Sequence, residues 1–113
     1  MFDAGTSGDI AVSWVLVTKD ELRRLWDDSG IEASRASGAY TEKRTPGTPV
    51  RNSALAARGA TNWIVRLKSG AIHVGTVNQT IDRDGAIIEE HPSDFIDCYG
   101  TKFMRCYHNP PHT

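Results

Sequence analysis

The sequence predicts an α+β fold: a mainly antiparallel, bent sheet, forming a small barrel or a meander, with one N-terminal amphipathic helix and a long loop. Three observations carry this expectation. Thr18 to Gly30 contains both the start and the stop signals of a helix. The stretch NWIVRLKSGAIHVGTV, Asn62 to Val77, reads as a hairpin with one apolar face. Turn signals then punctuate β-rich runs as far as His108.

Taken in order, Ile10 to Thr18 (IAVSWVLVT) is rich in β-branched and aromatic residues and reads as a strand. Thr18 and Glu21 stand at the spacing of a capping box, in which a hydroxyl and a carboxylate satisfy free backbone N–H groups at a helix start. Val17 and Leu22 occupy the two positions of a hydrophobic staple. Leu22, Leu25 and Trp26 share one face, and Gly30 supplies the stop, which gives a helix over 19–29.

Residues 31–52 are rich in Ser, Thr, Gly, Ala and Pro and hold no period of 2 or 3.6, so they read as a long loop of the kind that is either functional or mobile. A short helix follows at SALAARG, with Ser53 as cap and Gly59 as stop. A turn centred on Ser69–Gly70 would place Leu67 opposite Ile72, Val65 opposite Val74 and Trp63 opposite Thr76 on the buried face. The other face would pair Arg66 with His73 and Lys68 with Ala71. Apolar parity changes after Val74, which calls for a bulge or bend near Gly75–Thr76. A second turn at Asp84–Gly85 would set Ile81 opposite Ile88 and Thr80 opposite Glu89. Pro92 should break that strand, DFIDCYG is ambiguous, Thr101 to His108 reads as a last strand, and residues 109–113 form a frayed tail.

At 113 residues the chain fits one domain, 1–113. A hydrophobic fraction of 39% allows a modest core, so some apolar surface is expected to be buried against another copy. The net charge of −1 gives no overall attraction to nucleic acid or to an anionic membrane. Charge is nonetheless uneven: residues 31–61 carry a net +3 and residues 82–97 a net −5. Two solvated faces are the simpler reading, and docking of one block on the other is the alternative. The acidic N-terminus and the lack of any long apolar run point to a cytoplasmic protein with no membrane partner and reduced Cys98 and Cys106.

The pattern V-x-L-x-x-G-x-x-x-x-G, formed by Val65, Leu67, Gly70 and Gly75, resembles the first signature of the Sm-like (LSm) small β-barrel proteins over residues 62–90. That resemblance implies a helix followed by strongly bent strands, assembly into rings and RNA binding. The sequence departs from the family where an Asp-x-x-x-Asn should line the RNA pocket. The matching position lies near Asp82 to Ala86, and no Asn stands there. The second signature is hinted at only by Tyr99–Gly100, and here the helix follows a strand and precedes a long loop.

Chemistry-bearing groups are sparse. Cys98, Cys106, His91, His108 and His112 could ligate a metal, but C-x7-C with C-x-H lacks the tight knuckle of zinc sites, so no metal and no cofactor is expected. A Cys–His nucleophile pair drawn from the same residues has no recognisable third partner. No phosphate-cradling or dinucleotide fingerprint is present.

Three functions remain. The favoured one is a non-enzymatic, homo-oligomeric binding module, whose partners are other copies of itself and a small-molecule ligand, with a groove on the sheet completed by the 31–52 loop. Its candidate ligand-binding residues are Trp63, Arg66 and His73 on or beside the hairpin, with Tyr40 and Arg44 from the loop above it. A second is an RNA or single-stranded nucleic-acid binder that uses Arg66, Lys68, Arg105 and Tyr107. A third is a small hydrolase or isomerase built on Glu89, His91 and Asp94.

Overall fold

A computed structural model describes residues 13–106. Nine elements follow one another: β1 (Ser13–Val17), α1 (Lys19–Ser29), α2 (Ile31–Ala36), β2 (Thr41–Pro46), α3 (Ser53–Ala57), β3 (Thr61–Ser69), β4 (Ile72–Ile81), β5 (Ile87–Ile96) and β6 (Thr101–Arg105). The strands form one open, six-stranded sheet in the order β1-β6-β5-β4-β3-β2. The fold is thus α+β, and β2 to β6 are an antiparallel meander. β1 pairs in parallel with β6, which makes the sheet mixed, and its two edges do not close into a barrel.

Helix α1 begins and ends where its local signals place it. The Thr18 hydroxyl accepts from the Glu21 N–H at 3.1 Å, and Gly30 ends the helix at φ 83°. Leu22 and Trp26 are completely buried on one side of it. They join Ile31, Val65, Leu67, Val77 and Phe95 in the core, with Val17, Leu25, Tyr40, Val74 and Phe103 packed around the margin. Trp26 meets the Phe95 ring edge-on at 5.8 Å. This close approach requires a glycine at 75, because a Cβ there would lie 2.9 Å from Trp26 Cζ3.

The segment read as a loop is not one throughout. Within 31–52 stand α2 and β2. Their local signals are weak for a physical reason. α2 is one and a half turns long with a single buried residue, Ile31, and β2 (TEKRTP) is polar on both faces. Tertiary contacts hold both. Arg35 of α2 forks onto Glu42 of β2 at 3.0 and 3.1 Å and onto Glu90 of β5 at 2.9 and 3.2 Å. The basic and acidic blocks of the sequence meet in that second pair. In α3 the cap is Asn52, whose side chain accepts from the N–H groups of Ala54 and Leu55, and not Ser53.

The β3–β4 hairpin also differs from its expected register. Its two central residues are Gly70 and Ala71, so Ser69 faces Ile72 and Lys68 faces His73. Gly70 has φ 62°, and among the described residues no residue other than glycine has positive φ, which suits a turn that needs positive φ only at its first position. A bulge then leaves Val74 unpaired, after which Leu67 faces Gly75, Arg66 faces Thr76, Val65 faces Val77 and Trp63 faces Gln79. Val65 and Leu67 are buried as expected, whereas Ile72 is 45% exposed. The change of parity inferred from the apolar pattern is real, one residue earlier than placed.

Across the next turn Thr80 does face Glu89, but Ile81 faces Ile87 instead of Ile88. Pro92 does not break β5. It sits opposite Val77 beside a second bulge at Ser93, where a missing N–H donor is tolerated. The acidic residues of this region build turns. Asp82 Oδ1 accepts from the N–H groups of Asp84 and Ala86, and Asp97 Oδ1 from those of Tyr99 and Thr101.

Candidate functional site

Strand alternation divides the sheet into two unlike faces. One carries Val65, Leu67, Val77 and Phe95 and is covered by α1 and α2. Among the described residues the other has no helix on it, and it forms a trough of about 1130 Å³. β3 contributes Asn62, Ile64, Arg66 and Lys68 to its lining. β4 contributes His73, Thr76, Asn78 and Thr80, β5 His91, Ser93 and Asp94, and β6 Lys102. The chain that leaves β2 closes one end with Gly47, Thr48 and Arg51.

Two properties follow from this lining. The floor is made of amide, hydroxyl and imidazole groups, with Ile64 as its one aliphatic member. Four cations, Arg51, Arg66, Lys68 and Lys102, stand against a single lining carboxylate, Asp94, although the chain as a whole is at −1. Charge has therefore been sorted by the fold, with the trough holding the positive excess.

Asp94 is in turn engaged by His73, whose Nε2 lies 2.8 Å from its Oδ1, both side chains being largely covered. With a carboxylate at that distance, Nε2 is the donor. The Thr76 hydroxyl approaches the same nitrogen at 3.4 Å. A nitrogen that donates to Asp94 cannot also take a proton from Thr76, so the trio orders side chains and does not activate a nucleophile.

The expected site residues divide between the faces. Trp63, Arg66 and His73 line the trough, Trp63 at its rim with Nε1 donating to Thr61 Oγ1 at 2.8 Å. Arg66 faces Thr76 and donates to Thr45 Oγ1 at 3.2 Å. Tyr40 and Arg44 are not brought to them. Tyr40 packs on the margin of the core, and Arg44 donates to Gln79 Oε1 at 3.0 Å on the helix-covered face. The reason is that 41–46 is an edge strand beside the hairpin and not a loop over it. Alternation then directs Lys43 to the trough side and Arg44 away from it.

The same reasoning corrects the other groupings. Arg105 pairs with Val17 and shares the helix-covered face with Phe103, while Lys102 takes the place in the trough foreseen for it. Tyr107, His108 and His112 lie outside the described residues. Of the acidic cluster, His91 and Asp94 line the trough, whereas Glu89, half exposed opposite Thr80 and 3.6 Å from His91, is outside that lining. Among the described residues no group of three or more His, Cys, Asp or Glu side chains is placed to hold a metal ion.

Behind the trough, on the other face, lies a connected polar network. Gln79, 2% exposed, accepts from Arg44 and donates to Glu90 Oε2 at 2.6 Å. Burial pushes the Glu90 carboxyl up, but the hydrogen bonds from Arg35 and Gln79, together with the Arg35 charge, prevail and hold it below the ordinary glutamate value. The Glu42 carboxylate raises Arg35 further, against partial desolvation, with Glu90 adding to the effect. This network ties α2 to β2, β4 and β5, a structural task.

One feature of the trough had no local signal in the sequence. Trp14 of β1 lies opposite Lys102 of β6, with the ammonium 4.8 Å from the indole centroid. Trp14 is 61% exposed, on the same side as the trough and next to its cations. Only the parallel pairing of the first and last strands, 88 residues apart, brings the two together.

No family model, curated protein or solved structure matches this chain. Among the described residues no helix is long and apolar enough to cross a membrane.

Proposed function

We propose that the protein is a non-catalytic binding module that holds an anionic ligand or partner against the open face of its sheet. The observation that carries this reading is the gathering of Arg51, Arg66, Lys68 and Lys102 over a hydrogen-bonding floor, on the sheet face that no helix covers among the described residues. A buried acid, a poised nucleophile or an enclosed cleft would argue for chemistry. This trough is instead wide and polar, and its best-ordered titratable pair is already satisfied internally.

The test uses the symmetry of the sheet. Inorganic polyphosphate titrated at low salt should bind saturably, and Arg66→Ala and Lys68→Ala should weaken it. Arg44→Ala removes the same charge from the opposite face and should leave it unchanged. An Arg44→Ala loss equal to that of Arg66→Ala would show that net charge, and not the trough, attracts the ligand; absence of binding would remove the proposal.

Self-association belongs to the same reading. β1 is an edge strand without charge in which Trp14, Val15 and Leu16 are 61%, 39% and 67% exposed. The opposite edge, β2, is guarded by Glu42, Lys43, Arg44 and Pro46. Sedimentation velocity of the wild type and of Leu16→Lys, which introduces charge into that strand, is the measurement. A wild-type monomer at every concentration rejects this part alone.

A further inference from the structure

Resting on the anionic-ligand reading, we infer that the trough takes single-stranded nucleic acid, with a base stacked on Trp14 and phosphates held by Lys102, Arg66 and Lys68. Three observations lead there.

The first is the placement of Trp14. A tryptophan normally buries most of its surface, yet this one is 61% exposed at the margin of the trough with a lysine over its ring. An exposed indole beside a cation offers what an unpaired nucleotide presents: a π-face to stack on and a phosphate to neutralise. A base inside a duplex has no free face, so the indole selects for single strands.

The second is the distribution of charge. Lys102 stands on β6 and Arg66 and Lys68 on β3, three strand spacings apart, or roughly 14 Å at about 4.8 Å per spacing. The floor between them offers Asn78, Thr76, His91 and Ser93, groups that match base edges and sugar hydroxyls. A ligand crossing the strands would thus meet cations at both ends and hydrogen-bonding groups in the middle.

The third argues against an acidic peptide. Extended peptides bind sheets at an edge, where free main-chain groups add a strand. Over the trough the β3, β4 and β5 backbones are already engaged in ladders, which leaves side chains alone to make contacts. A chain with regularly spaced charges and its own stacking faces suits that surface better.

Fluorescence anisotropy with a labelled 12-nucleotide oligouridine, at 50 mM and 200 mM salt, tests the inference. Heparin, a glutamate-rich peptide and a 12-base-pair duplex serve as comparison ligands. The oligonucleotide is expected to bind, to weaken as salt rises, and to bind more tightly than the duplex. Trp14→Ala should weaken it by roughly 5- to 150-fold, the usual worth of one base–aromatic stack, while heparin binding stays constant. Trp14→Phe, which keeps a ring, should recover part of the loss. Lys102→Gln should lower the log–log salt slope by about 0.7, as for one lost phosphate contact. Unfolding temperatures of the variants equal to that of the wild type are expected and would show that the losses are not structural.

If heparin or the peptide binds but the oligonucleotide does not, or if Trp14→Ala affects all ligands alike, the nucleic-acid inference fails and the anionic trough stands. Duplex binding as tight as single-strand binding overturns the stacking argument and the inference with it. If no polyanion binds, both readings fall.

Discussion

Replacing Gly75 with alanine tests the packing that seats α1 on the sheet. The added Cβ would lie 2.9 Å from Trp26 Cζ3, 3.0 Å from the Asp94 carbonyl oxygen and 3.1 Å from Phe95 Cβ. Comfortable carbon contacts lie near 3.5–4.0 Å, so each neighbour would have to retreat by about 0.4 to 1 Å. None can do so freely. Phe95 is the direct cross-strand partner of Gly75, so moving it opens the β4–β5 ladder, and Trp26 is fully enclosed. Overpacking of this kind costs about 1–3 kcal/mol, against which alanine regains about 0.4–1 kcal/mol by restricting the unfolded chain. The net is a loss of roughly 1–2 kcal/mol, or about 4–8 °C in unfolding temperature for a chain near this size. Thermal unfolding followed by far-ultraviolet circular dichroism is the assay. Because the clash involves Trp26, the double variant Gly75→Ala/Trp26→Phe should be less destabilised than the two single changes added together. An unchanged or higher unfolding temperature for Gly75→Ala would refute the packing argument, since a strand glycine without a tight neighbour gains stability from alanine.

Three further outcomes follow from the helix-covered face. Arg35→Met should destabilise the protein by about 2 kcal/mol, because it leaves Glu90 and Glu42 without the guanidinium that forks between them; an urea midpoint within error of wild type would show that the network is dispensable. Glu90 titrates below its unfolded value, so its contribution is present above the ordinary glutamate range and is lost as the pH falls through the lowered folded value; the stability of Glu90→Gln between pH 5 and pH 3 should accordingly decline less steeply than that of wild type, and parallel curves would contradict the linkage. Thr18→Ala removes the acceptor for the Glu21 N–H and should cost about 1 kcal/mol, measurable by chemical denaturation and recovered by Thr18→Asp.

Particular residues show how far local signals reach. The start and stop of α1 were legible because capping and termination act within a few residues: Thr18 finds Glu21, and Gly30 adopts its own left-handed conformation. The buried side of β3 was legible because period-2 alternation marks Val65 and Leu67. The register of the hairpin was not. Ser69–Gly70 and Gly70–Ala71 are equally good turn pairs on paper, and the choice depends on the bulge at Val74 that lets Gly75 rather than a larger residue meet Trp26. β2 escaped notice because an edge strand with polar residues on both sides has no alternation to read.

The candidate site divides in the same way. Arg66 and His73 could be placed on the outer side of the hairpin from spacing alone, and Trp63 beside it. Arg44 falls on the face opposite Arg66 because its direction depends on whether its segment pairs with β3, and a single residue of offset exchanges Lys43 for Arg44. Lys102, Arg51, Asn78 and above all Trp14 were beyond local reading.

The amino-acid sequence by itself determined α1, the β3–β4 hairpin as an element, the turn glycines and the buried side of β3, since these depend on contacts a few residues apart and on the conformational preferences of single residues. Only the tertiary structure decided which faces meet and which stays bare. The parallel docking of β1 on β6 and the seating of α1 and α2 on one side of the sheet are long-range choices. They are set by shape complementarity around Trp26, Gly75 and Phe95, and they leave the cations of distant segments together on the uncovered side.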